Sequence, residues 1–186
     1  FDDHDLYKLD QYLLRGGHIG LFLNTKIIDM QNQYMPVQEN SSNIFEFLDH
    51  YGVRFGRELL QDKNCYQVQA MQNLGFLQIP VAVDYPFAPR VTNVDENNPI
   101  VNRLKELGFF FVNELSSTGD TTRVKFSPLM YTSEMTGYAM PDPRSRMINI
   151  SAAQQIPDYV YREGAKTISA VVEGEYASWF GNTRPD

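Results

Sequence analysis

Ile19-Gly20-Leu21-Phe22-Leu23 is a run of apolar residues with no polar alternation. Such a run suits a strand covered on both faces, as in a parallel sheet, and its reading sets the expected fold class. On its N-terminal side Leu6, Leu9 and Leu13 recur at i, i+3 and i+7, which is a helical stripe. Asp2, Asp3 and Asp5 stand where acids suit an N-cap and the positive end of the helix dipole. Gly16-Gly17 is the stop.

On its C-terminal side residues 25–42 are polar and read as a loop. A second helix follows, with Asn43 and Glu46 spaced as a capping pair. Ile44, Phe47, Leu48 and Tyr51 form its apolar face, and Gly52 ends it. Val53 to Asp62 returns to the sheet through Leu59-Leu60. In the middle, Tyr66, Val68 and Ala70 alternate with Gln67 and Gln69, and Phe76, Ile79, Val81 and Val83 resume after Asn73-Leu74-Gly75. That pattern predicts an antiparallel hairpin over about residues 64–90, closed by an extended aromatic loop, Tyr85 to Pro89. A third helix is expected from Asn98-Pro99, with Ile100, Leu104 and Leu107 as its stripe and Gly108 as its stop. Phe109 to Val112 reads as another buried strand, Val124–Phe126 and Leu129–Tyr131 as extended pieces, 134–146 as loop, and Thr167–Val172 as a strand.

Helices alternating with two-sided strands predict an α/β layered domain with a mainly parallel sheet. The opening helix implies a preceding strand upstream of Phe1, and so a piece of a longer chain. The 186 residues suit one domain, and no apolar run of 18 residues is present. A net charge of −7 disfavours nucleic acid and anionic lipid as electrostatic partners. Cys65 stands alone, which removes an intrachain disulfide and a cysteine zinc cluster. Aromatic residues make up 13% of the chain, and tyrosine excess points to half-buried rings whose hydroxyls reach water or a partner. The plainer reading is a core rich in Phe and Tyr.

No motif carries strong chemistry. Neither G-x-G-x-x-G nor G-x-S-x-G occurs. Gly16-Gly17 with Gly20 lies in the wrong order for a phosphate loop. His4, His18 and His50 form no close pair, and His4 among Asp2, Asp3 and Asp5 reads as a capped helix start rather than a metal site. Cys65 has no nucleophile-elbow context, Ser127 to Thr136 reads as turn chemistry, and Glu173 and Glu175 read as a solvated strand end. No catalytic, cofactor or metal residue is assigned. The candidate partner or ligand surface comprises Tyr85, Phe87, Tyr131, Tyr138, Trp179 and Phe180, with Trp179–Phe180 as an apolar anchor for the chain's own body or for a partner.

Several segments together carry a resemblance. They are Leu6 to Gly17, His50 to Val53 with Leu59 to Asp62, Asn98 to Ile100, Ser127 to Ser133, and Ala170 to Phe180 ending near Arg184-Pro185. In this order they resemble the extracytoplasmic domain of the gliding-motility-associated ABC-transporter auxiliary proteins, the GldG-like group, often labelled substrate-binding. The resemblance implies a Rossmann-like α/β layer on the periplasmic, extracytoplasmic face of a bacterial cytoplasmic membrane. It also implies membrane anchoring of the full chain, an ABC ATPase and a permease as partners, and no enzymatic residues. Two other readings stand beside it: a stand-alone domain binding a glycan or peptide, and an α/β hydrolase or amidotransferase relative.

Overall fold

Among the described residues of the computed structural model, every strand pairing is antiparallel. The structure describes residues 1–32, 34–119, 123–139, 148–153, 156–183 and 185. Of these, 42% lie in strands and 14% in helices. The expected Rossmann-like layer with a mainly parallel sheet is therefore corrected to a set of small antiparallel sheets.

The chain opens with α1 (Asp3–Leu14), then β1 (Lys26–Ile28) and β2 (Val37–Glu39), which pair with each other. After α2 (Ile44–His50) come β3 (Val53–Asp62), β4 (Cys65–Leu74), β5 (Leu77–Val91) and β6 (Asn93–Val94). Then follow β7 (Leu107–Gly108), β8 (Asn113–Ser117), β9 (Val124–Tyr131) and β10 (Thr136–Ala139). A short α3 (Ile150–Ala153), a 3-10 turn (Asp158–Val160) and β11 (Thr167–Gly174) complete it. The three-stranded sheets run β10-β3-β8, β11-β9-β6 and β4-β5-β7.

Both N-terminal helices form where periodicity places them. Asp2 caps α1 by accepting from the Asp5 N–H at 2.7 Å, and Gly16 leaves it at a φ of 83°. In α2, Ile44, Phe47 and Leu48 are buried together with Tyr51. The Asn43–Glu46 capping pair is not made. Asn43 is helical, makes no cap bond, and instead donates to the Phe1 carbonyl at 3.0 Å. The two helices bury their apolar faces against each other, in one cluster with Tyr176 and Phe180, rather than alternating with strands of one sheet.

The run that set the expected fold is not a strand. Residues 19–24 have no regular structure; Leu21 is 41% and Phe22 96% exposed. Residues 109–112 are not a strand either. Phe111 takes a φ of 57°, which breaks extension, so its ring enters the core while Phe110 faces out. The third helix is replaced by turns. Asn98 Oδ1 accepts from the Ile100 N–H at 3.1 Å, Val101 is the buried residue, and Ile100 is 61% exposed. Three apolar positions cannot offset helix nucleation in so short a segment.

The hairpin is present as β4–β5, turning at Gly75-Phe76 between the paired Leu74 and Leu77. β5 continues through the expected aromatic loop, and Tyr85, Phe87 and Ala88 become the centre of a core with Leu59 and Phe111. β3 carries a bulge between Phe55 and Leu59. Asn113 stitches it, donating to the Glu58 carbonyl at 2.9 Å and accepting from the Thr25 N–H at 3.1 Å. Gly174 ends β11 where a Cβ would lie 2.1 Å from the Arg123 carbonyl oxygen, a backbone approach expected of glycine at a strand end. Of the loop expected over 134–146, residues 136–139 form β10, and 140–146 lie outside the described residues, as does Arg184.

Candidate functional site

The six candidate residues fall in three places. Tyr85 and Phe87 are 2% and 5% exposed, with their rings 5.6 Å apart and both beside Phe111. They are core, not an exposed loop; burial pushes the Tyr85 phenol far up. Tyr131 and Tyr138 are half-buried. Tyr131 lies opposite Thr167 and Asn93 at the end of β9. The Tyr138 hydroxyl donates to the Glu114 carboxylate, and Lys166 Nζ sits 5.0 Å above its ring.

Trp179 and Phe180 belong to a clasp built around Asp10. Within α1, Asp10 is fully buried. Its carboxylate accepts from the Tyr51 hydroxyl, from Ser178 Oγ at 2.9 Å, from the Trp179 N–H at 2.8 Å and from Gln11 Nε2 at 3.0 Å. Burial is the largest single influence and pushes the Asp10 carboxyl up. The bonds from Tyr51, Trp179, Ser178 and Gln11 together outweigh it and hold the carboxyl below its ordinary value. Burial, then the bond to Asp10, pushes the Tyr51 phenol far up. Around this centre His50 Nε2 donates to the Ala177 carbonyl at 2.9 Å. The Trp179 indole stands edge-on to His50 at 5.3 Å, and Phe180 edge-on to Tyr7 at 5.4 Å. The aromatic tail thus docks on the chain's own helices, leaving 38% of Trp179 exposed. Asp10 thus caps the loop at residues 177–180 from within α1 instead of facing solvent.

The nucleophile candidates are engaged structurally. Asp62 accepts from Ser133 Oγ at 2.5 Å, the Ser133 N–H at 2.7 Å and the Asn64 N–H at 2.8 Å. Ser127 lies mid-strand opposite Val171. Cys65 is half-buried, and burial with the nearby Asp84 pushes its thiol up to about 11. It lines an open cleft of about 530 Å³ with Lys63, Asn64, Tyr66, Gln67, Asp84 and Arg90. The cations there are already paired: Lys63 donates to Asp158 at 2.8 Å, and Arg90 to Asn64 Oδ1 at 3.1 Å. Among the described residues no group of three or more His, Cys, Asp and Glu side chains is arranged to hold a metal ion.

Sequence reasoning missed the outward end of β4–β5. Phe76 is 96%, Met71 60%, Leu77 55% and Ile79 38% exposed. The signal was available: residues 66–83 carry no charged side chain, in a chain where 21% of residues are charged.

Among the described residues, the polar groups named above hold segments of the chain together, and the apolar tip of β4–β5 is left uncovered. All of residues 1–186 match the model of the ABC_transp_aux family, described as an ABC-type uncharacterized transport system, and the chain belongs to that family. It is thereby an auxiliary component of an ABC transport system. No curated protein and no solved structure matches it. Among the described residues no helix is long and apolar enough to cross a membrane.

Proposed function

We propose that this chain is a non-enzymatic module of an ABC transport system, acting on the extracytoplasmic face of the membrane and binding an ABC ATPase–permease assembly rather than turning over a substrate. The observation that carries the reading is the family match over residues 1–186. The engagement of Ser133, Asp62 and His50 in structural hydrogen bonds, with the raised thiol of Cys65, supports a binding role. The resemblance of its ordered segments to the gliding-motility-associated group supports a gliding setting for it.

Affinity capture of the full-length protein from native membranes tests this reading. Co-recovery of an ABC ATPase and a permease in comparable amounts is expected; recovery of neither overturns it. A deletion strain of a gliding host that still spreads normally removes the gliding setting and leaves the transport role.

A further inference from the structure

The β4–β5 ribbon is the part of this protein least suited to water. Its closing pair is Leu74 with Leu77, and successive pairs alternate in face. One face collects Val68 with Val83, Ala70 with Val81, and Gln72 with Ile79. The base of that face packs on the core through Val68, and its outer end is open. A solvated ribbon of this length normally carries charges on its edges, which keeps other strands away. Here residues 66–83 carry none, on either face or either edge. Phe76 sits at the extreme tip; the Leu74–Leu77 pair is the first tier behind it, Asn73 with Gln78 the second, and Gln72 with Ile79 the third.

We infer that the tip of the β4–β5 ribbon, centred on Phe76, Leu77 and Ile79, inserts shallowly into a lipid bilayer. A protein partner needs one uncharged patch, whereas hydrocarbon penalises charge on every side of what enters it. The cross-strand bonds satisfy the backbone between the two strands, and the outer edges restrict entry to the headgroup and upper acyl region. Phe76 and Leu77 then enter the upper acyl region, while the tiers of Asn73 with Gln78 and of Gln72 with Ile79 lie at headgroup level, where Ile79 still meets lipid. Asp84, the first charge down β5, stands about 20 Å from the tip, beyond two Debye lengths of about 8 Å. The net charge of −7 on the chain is therefore screened from the contact, and zwitterionic lipid suffices. The inference takes only its membrane setting from the proposed function. Its test involves neither ATPase nor permease, so the two readings fail separately.

The test uses the whole chain joined by a flexible Gly/Ser linker of about 40 residues, about 35 Å root-mean-square, to a histidine tag on vesicles of brominated phosphatidylcholine with a nickel-chelating lipid. The tether holds occupancy constant and lets any face turn to the surface. Trp179 of the parent reports the body, Phe76→Trp the tip, and Phe22→Trp an equally exposed position elsewhere. The tip indole, at a depth of about 5–10 Å, should shift to the blue and lose about half its emission, while Trp179 and the indole at position 22 do not. Adding Ile79→Asp to Phe76→Trp should weaken the quenching about tenfold or more. Equal quenching of Phe76→Trp and Phe22→Trp, or none of either, overturns the inference. So does self-association without lipid that Ile79→Asp abolishes, which assigns the face to a second copy of this chain.

Discussion

Replacing Asp10 by Ala should open the clasp between α1 and the C-terminal segment before it unfolds the rest. The carboxylate accepts four hydrogen bonds; its loss leaves the buried Tyr51 hydroxyl and the part-buried Trp179 N–H without their acceptor. Leaving a buried donor unsatisfied costs about 1–3 kcal/mol, and bonds to charged groups lie at the upper end. Together the loss is about 3–5 kcal/mol, against a typical total stability of about 5–15 kcal/mol. For a chain of this length that lowers the melting temperature by about 10 °C. Trp179 reports the local event, because its indole is held against His50 and Phe47 only while the segment is docked. Its emission should therefore shift to the red at temperatures where far-ultraviolet circular dichroism is unchanged. Asp10→Asn keeps the shape, loses the charge and one acceptor, and should fall midway. The pH dependence has a fixed sign. The folded Asp10 value is depressed below 3.8, so its stabilisation is complete above pH 4 and is lost as pH falls through the folded value. The gap between the parent and Asp10→Asn should be flat from neutral pH to about 4 and close below it. Asp10→Ala melting within about 2 °C of the parent with unchanged Trp179 emission refutes the clasp.

Other perturbations read other parts of the molecule. Gly137→Ala would set a Cβ 2.3 Å from the Val160 carbonyl oxygen, so β10 and the 3-10 turn must part; a loss of about 2–3 kcal/mol is expected from chemical denaturation. Phe76→Ser should leave the melting temperature within about 2 °C, since a 96% exposed ring contributes nothing to the core; a larger drop would place the tip inside the fold. Cys65, its thiol raised to about 11, should react with iodoacetamide at pH 8 about twenty- to a hundredfold more slowly than free cysteine, followed by mass spectrometry. Glu39→Gln removes the carboxylate that meets the buried Lys26 ammonium and should cost about 2 kcal/mol in denaturant titrations.

What was legible in the sequence was whatever had a local period. α1 and α2 announce themselves because leucine, isoleucine and phenylalanine recur at helical spacing, and β4 announces itself because Tyr66, Val68 and Ala70 alternate with glutamines. Ile19 to Leu23 misled because a continuous apolar run carries no period, and its strand reading assumed partners that the chain does not supply. The strand reading of Phe109 to Val112 failed at one dihedral: no side-chain pattern reveals that Phe111 sits at a φ of 57°. The same limit hid the core role of Tyr85 and Phe87, because Pro86 and Pro89 look like loop punctuation until Phe111 and Leu59 arrive from elsewhere.

Asp10 shows why the sites are harder to read than the helices. Its helix is local, but two of its donors, Ser178 and Trp179, lie 168 and 169 residues away, so nothing near it in sequence marks it as buried. Its environment is nonetheless consistent with a carboxylate. An apolar residue there would leave the Tyr51 hydroxyl and the Trp179 N–H without acceptors, and only a group with several lone pairs can take donors from three segments at once. The ribbon presents the opposite case. Its distinctive property is local and was visible as a stretch without charge, but alternation alone reads as an ordinary hairpin. It becomes a candidate contact only once the structure shows that the tip carries Phe76 away from every core that could cover it. In this chain the polar groups that look reactive, Asp10, Asp62 and Ser133, hold segments together, while the apolar residues split between three cores and an uncovered ribbon tip.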